Sequence, residues 1–77
     1  MRWDEKKNKE LKKRHGLGFE DVIAGTPTGV IEVHPDYPGQ QRIIMDVNGY
    51  AYVLVYERTR NRFANFWPSR KHKRSIK

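Results

Sequence analysis

Cysteine is absent from the 77 residues, which excludes disulfides, cysteine-ligated zinc and thiol nucleophiles and fits a reducing compartment. Long apolar runs are missing too. Met1-Arg2-Trp3-Asp4-Glu5 leads straight into lysines, with nothing of signal-peptide or bilayer-spanning length, so a cytoplasmic protein with no membrane partner is expected. There is no phosphate-cradling glycine loop, nucleophile elbow or helix-turn-helix pattern. His15, His34 and His72 are far apart and lack metal-ligand spacing, so neither a metal nor a cofactor is expected.

Length is also scarce. A chain this short buries only about 60% of its unfolded surface, which allows one domain over residues 1–77 and one modest core. Such a core leaves roughly 3–5 kcal/mol of net stability or less, so a partner that binds only the folded form would matter.

Acids are missing where bases are dense. The formal charge is +7, yet residues 58–77 hold eight Lys or Arg and no acid, whereas residues 21–57 hold Arg42 alone against five acids. A basic end of this kind faces a polyanion. For Lys71, Lys73, Arg74 and Lys77 a solvated tail over residues 70–77 explains the charge as well as a specific role does.

Residues 4–14 combine helix formers with an acidic cap position and cations toward the C-terminus, and Gly16 supplies the stop. Only Leu11 is apolar within, on a face shared with Asn8 and His15, so the helix contacts the core narrowly. A second, shorter helix follows from Phe19, Val22 and Ile23 at spacings of three and four, ended by Gly25 and Thr26-Pro27.

After Gly29 the pattern turns to β. Residues 30–34 alternate and stop at Pro35-Asp36-Tyr37-Pro38-Gly39, where two prolines argue against continued pairing. Residues 42–47, then Asn48-Gly49, then 50–57 read as a two-residue hairpin, since Asn-Gly accepts the positive φ of a type I′ turn. Pairing Val47 with Tyr50 puts Ile43, Met45, Val47, Tyr50, Tyr52, Leu54 and Tyr56 on one face and Arg42, Ile44, Asp46, Ala51, Val53, Val55 and Glu57 on the other. Neither face is plainly polar, so helices should cover one side and leave the other for binding. Residues 59–61 turn again, and residues 62–67 form a last strand that Pro68 ends. The expected class is α+β, two N-terminal helices packed on a four-stranded, mainly antiparallel sheet.

Three stretches together resemble the BrnT family of toxins. These are Trp3-Asp4-Glu5-Lys6-Lys7-Asn8 with Arg14-His15-Gly16 and Phe19-Glu20-Asp21, then Tyr52-Val53-Leu54-Val55-Tyr56-Glu57-Arg58, then Pro68-Ser69-Arg70-Lys71. The resemblance implies a RelE-like fold, metal-independent endoribonuclease activity against mRNA, and neutralisation by a cognate antitoxin in a type II toxin–antitoxin pair whose complex binds operator DNA. Asn65 stands where the family often has arginine, and the usual C-terminal extension is shortened to His72 through Lys77.

Cleaving RNA without a metal needs a base for the 2′-hydroxyl proton, cations for the phosphate and an acid for the leaving oxygen. Arg70, which matches the family's Ser-Ala-Arg position, and Lys71 beside it are the candidates for the phosphate; a salt bridge to the acidic middle is the plainer role. Glu57 and Arg58 match the family's Glu-Arg pair, as base and cation, or else form a surface ion pair. His15 and His72 titrate nearest neutrality, although His15 also suits a helix C-terminus. Arg60, Arg62, Lys6, Lys7, Lys12 and Lys13, with Tyr52 and Tyr56, are candidates to line an RNA track, cations on phosphate and rings on bases. Phe63, Phe66 and Trp67 are assigned to the core and to antitoxin contact. A non-catalytic basic module that binds RNA or protein explains the same charge.

Overall fold

A computed structural model describes residues 3–34 and 36–69 of the chain. Asp4 caps α1 (Glu5–His15) by accepting the Lys6 N–H on its carboxylate at 2.9 Å, and the Gly16 N–H closes the other end on the Lys12 carbonyl. Glu5 in the first turn and the cations Lys12, Lys13 and Arg14 in the last complement the helix dipole. Only Asn8 and Leu11 of α1 are buried, so its grip on the rest of the molecule depends on one polar and one apolar side chain.

Asn8 makes two bonds that tie α1 to the next element. Its Oδ1 accepts the Phe19 N–H at 2.8 Å and its Nδ2 donates to Glu20 Oε1 at 3.1 Å. Gly18 lacks the side chain that would normally cap α2 (Phe19–Ile23), so Asn8 supplies the acceptor from another helix, and Asp21 Oδ2 accepts the Gly18 N–H at 2.9 Å. A Cβ on Gly18 would lie 2.6 Å from Asn8 Oδ1, so a larger residue there would push the Asn8 amide off its bond to Phe19. At five residues, α2 is little more than one turn. The chain is thus a small α+β domain with one substantial helix, and the second expected helix is reduced to a turn that seats Phe19 and Val22 in the core.

Four antiparallel strands follow, in sheet order β1-β2-β3-β4: β1 (Thr26–His34), β2 (Tyr37–Val47), β3 (Tyr50–Glu57) and β4 (Arg62–Pro68). The turn at Asn48-Gly49 has φ of 55° and 86°, the paired positive values of a type I′ hairpin, and Asp46 Oδ1 accepts the Gly49 N–H. Val47 pairs with Tyr50.

Two strands are longer than residue types suggest. β1 starts at Thr26 rather than after Gly29, and β2 starts at Tyr37, so Pro38 lies inside a strand. The β1–β2 register is irregular between Val33 and His34, beside Pro38, and β3 ends opposite Gln40. A proline at such an irregularity, beyond the reach of β3, breaks no ladder that its missing N–H would have served.

The helices cover one half of one sheet face. Leu11, Phe19 and Val22 pack on Met45, Val47, Leu54 and Phe66. Aromatic rings bridge the layers: Trp3 stacks on Phe19 at 5.7 Å, and Phe19 meets Phe66 edge-on at 5.2 Å. The opposite face holds a second buried cluster, Ile44, Ala51, Val53 and Val55, with Ala64 and Trp67 against it. An open binding surface was expected on that second face. Instead these four residues are sealed, and the exposed apolar surface lies on the helix side, beyond the reach of α1 and α2, where Ile31 and Val33 are 58% and 55% exposed.

Replacing Asn8 with alanine leaves the Phe19 N–H buried without its acceptor. Asn8→Ala should lower the unfolding free energy by about 2 kcal/mol, measured by urea denaturation, whereas Lys9→Ala, on the exposed side of the same helix, should change it by less than about 0.5 kcal/mol.

Candidate nucleic-acid interface

The end of the sheet remote from the helices is organised by the β3–β4 turn, residues 58–61. The Arg58 N–H donates to the Gly39 carbonyl at 2.8 Å, tying the turn to β2, and Asn61 takes a positive φ of 50° to close it. Arg58 and Arg60 are exposed on this turn, and among the described residues neither forms an ion pair. Tyr56, Glu57, Arg58, Arg60 and Arg62 therefore cluster at one end of the sheet, as consecutive residues around a hairpin must.

Alternation then separates them. Tyr56 shares the helix-side face with Leu54, while Glu57 points to the other face, where its Oε1 accepts from Arg62 Nε at 2.9 Å. The Glu57 side chain is 20% exposed and the Arg62 side chain 41%, so the pair is partly screened from water and each holds the other in place. On that same face Arg42 lies 5.5 Å from the Trp67 ring centroid, within cation–π range. Its Nε is buried with no hydrogen-bond partner.

Two recesses flank the turn. One, of about 360 Å³, lies between the β1–β2 and β3–β4 turns, where Asp36, Gly39, Glu57, Thr59 and Arg60 contribute to its wall. The other, of about 300 Å³, opens on the helix-side face and is lined by Gln41, Ile43, Tyr56, Asn61 and Phe63. A bulge opposite Val55 and Tyr56 sets Phe63 across from Tyr56, so their rings meet at 5.1 Å and 58°. The Tyr56 hydroxyl donates to Asn61 Oδ1.

His15 lies elsewhere on the helix side. Its ring is 5.6 Å from Phe66, whose strand partner Leu54 is two residues from Tyr56. Burial, then the neighbouring Arg14 cation, holds the His15 pKa below its ordinary value of 6.5. The helix dipole would favour the charged form, but desolvation wins, and the ring packs as a neutral aromatic. Lys7 is half-buried on α1. Lys12 is bound to Glu20 at 3.0 Å; this pairing raises the Lys12 pKa. The Glu20 carboxyl is held below its ordinary range by its own backbone N–H, the Asn8 amide and the Lys12 ammonium.

The structure thus gathers Tyr56, Glu57, Arg58, Arg60 and Arg62 at one end but turns Glu57 and Arg62 away from Tyr56. His15 and Lys7 belong to the helical layer. Arg70, Lys71 and His72 lie outside the described residues. Among the described residues no cluster of three or more histidine, aspartate or glutamate side chains is spaced to hold a metal, and no helix is long and apolar enough to cross a membrane. Gln41, Asn61 and Phe63 form a recess that residue types alone did not reveal, since the bulge that aligns Phe63 leaves no mark in the alternation.

No family model, curated protein or solved structure matches the chain.

A depressed His15 pKa means the unfolded chain binds more protons at this site than the folded one, over the interval between the folded value and about 6.5. Its stabilising effect is complete above that interval and declines as pH falls through it. Urea denaturation at pH 7.5 and 5.5 should show wild type losing stability between the two, with a smaller loss for His15→Gln. An equal loss in both would assign the acid sensitivity to other groups.

Proposed function

We propose that this domain acts on RNA, as a RelE-like, metal-independent endoribonuclease toxin of the BrnT-like kind, held in check by a cognate antitoxin. The observation that carries the RNA part is the placement of exposed Arg58 and Arg60, on the β3–β4 turn, at the same end of the sheet as the recess walled by the half-buried ring of Tyr56; Arg60 itself lines the neighbouring recess. Cations there meet phosphate and rings meet bases. The sequence adds Arg70 and Lys71 to the same basic segment, following Ser69, whose N–H donates to the Ala51 carbonyl at the end of the sheet opposite the β3–β4 turn. The toxin part rests on the resemblance in the order of Trp3-Asp4-Glu5, Tyr56-Glu57-Arg58 and Pro68-Ser69-Arg70-Lys71.

On this reading Arg70 and Lys71 stabilise the scissile phosphate, Arg58 and Arg60 hold backbone phosphates further along the RNA, and Glu57 orients Arg62. A cytoplasmic site of action follows from the substrate. A second reading, a non-catalytic RNA- or protein-binding module, is favoured by one specific feature: Glu57 is engaged by Arg62 on the face opposite Tyr56 and His15. Among the described residues, that arrangement leaves these candidate bases apart.

The two readings differ in their products. Purified protein incubated with RNA and a chelator should leave 2′,3′-cyclic phosphate and 5′-hydroxyl ends, and Arg70→Ala should abolish them while melting as wild type does. RNA bound but left intact would select the binding module. Phosphate contact by the turn is measured separately. For single-stranded RNA each neutralised phosphate adds about 0.7 to the slope of log affinity against log salt, so Arg58→Gln with Arg60→Gln should reduce that slope by about 1.4.

A further inference from the structure

The helix-side recess is unlike a gap left by imperfect packing, because its wall combines three chemistries. Ile43 is apolar, Tyr56 and Phe63 present aromatic rings, and Gln41 and Asn61 carry side-chain amides. Exposed Arg58 and Arg60 lie on the turn that also holds Asn61. A volume of about 300 Å³ sits at the lower end of small-ligand sites, large enough for one flat heterocycle.

We propose that this recess is a subsite for a single unpaired nucleobase of a single-stranded RNA, stacked on Phe63 and Tyr56 and read at its edge by Gln41 and Asn61. The proposal rests on the RNA reading above and names the substrate feature that the site takes.

The case is geometric. Tyr56 and Phe63 face each other across β3 and β4 with centroids 5.1 Å apart and planes inclined at 58°, so one ring offers a face where the other offers an edge. A π-face accepts any base, whereas specificity needs hydrogen-bonding edges. The Tyr56 hydroxyl occupies Asn61 Oδ1, which fixes the amide and turns its Nδ2 donors outward from that bond. Gln41, two residues before Ile43 on the same face of β2, adds a donor and an acceptor, the combination that pairs with an adenine edge or, in other orientations, with other bases.

Charge argues for a nucleotide over an apolar protein segment. The turn that holds Asn61 also carries exposed Arg58 and Arg60, of which Arg60 lines the neighbouring recess, so cations are at hand for the phosphates beside the base. A partner that used the apolar surface alone would centre on exposed Ile31 and Val33 of β1, which pair with Ile43 and Gln41 at the border of the recess and are not part of its wall.

The test uses the full chain and a short oligoribonucleotide with 2′-O-methyl sugars, which binds without being cut, carrying 2-aminopurine at one position. Wild type should quench the probe, as stacking on an aromatic ring does. Phe63→Leu, which keeps apolar volume and loses the ring, should weaken binding about 5- to 100-fold and abolish quenching, while Phe63→Trp restores both. Asn61→Asp should weaken binding less for a probe whose base edge is removed than for an intact base. Thermal melts monitored by circular dichroism keep misfolding separate, and Tyr56→Leu provides a second route should Phe63→Leu not fold. Folded leucine variants that bind and quench as wild type does would overturn the subsite and leave the RNA reading standing. A wild-type protein that binds no RNA would overturn both. Leucine variants that lose self-association in sedimentation but keep RNA affinity would assign the face to a second copy of the chain and overturn the subsite.

Discussion

The fold depends on what Asn8 does inside a helix that otherwise faces water. Its side chain is 2% exposed and its amide bonds at both ends, to the Phe19 N–H and to the Glu20 carboxylate. A buried amide is stable only when its groups are paired. Here the pairing fixes where α2 begins, which drops Phe19 between Trp3 and Phe66 and Val22 beside it. Leu11 alone would not hold α1 to the sheet. The bond lets a nearly all-polar helix dock, because one satisfied polar contact sets the position of Phe19, which joins Trp3 to Phe66 across the layers.

That docking also decides which surface stays open. Both short helical elements lie over the half of the sheet nearest the Asn48-Gly49 hairpin, against Met45, Val47, Leu54 and Phe66. Further along the strands the same face carries Ile43, Tyr56 and Phe63, two residues beyond Met45 and Leu54 and three beyond Phe66; Ile43 and Phe63 pack partly against the helix-side core, and a recess opens beside them. The bulge in β4 aligns Phe63 with Tyr56 there. On the opposite face Ile44, Ala51, Val53 and Val55 are buried, with Ala64 and Trp67 against them. The candidate interface is therefore a consequence of short helices on long strands.

Local chemistry made much of this legible. The Asp4 cap, the Asn48-Gly49 turn and the pairing of Val47 with Tyr50 follow from backbone preferences that act over a few residues, and the division of β2 and β3 into two faces follows from the turn. What lay beyond local reading had non-local causes. Pro38 belongs to β2 because the register slips beside it and β3 has already ended. The acceptor that caps Phe19–Ile23 is Asn8, eleven residues away in another helix. For the site, adjacency in sequence foretold the cluster from Tyr56 to Arg62, but strand alternation splits Glu57 from Tyr56, and the recess with Gln41 and Asn61 joins residues from different strands.

The open end also differs energetically from the docked end, which bears on how such a surface could be tuned. Arg58, Arg60 and Asn61 are exposed, and Gln41 and Phe63 only half-buried. Substitutions at exposed positions of this sort usually shift stability by no more than about 0.5 kcal/mol. Asn8, Phe19 and Phe66 have no such freedom, since each fills or pairs a buried position. A domain with so small a core tolerates little loss. Placing the recognition chemistry two rungs beyond the helices lets the cations and amides around the turn vary with the ligand, while the residues that determine whether the chain folds stay fixed at the other end of the same strands.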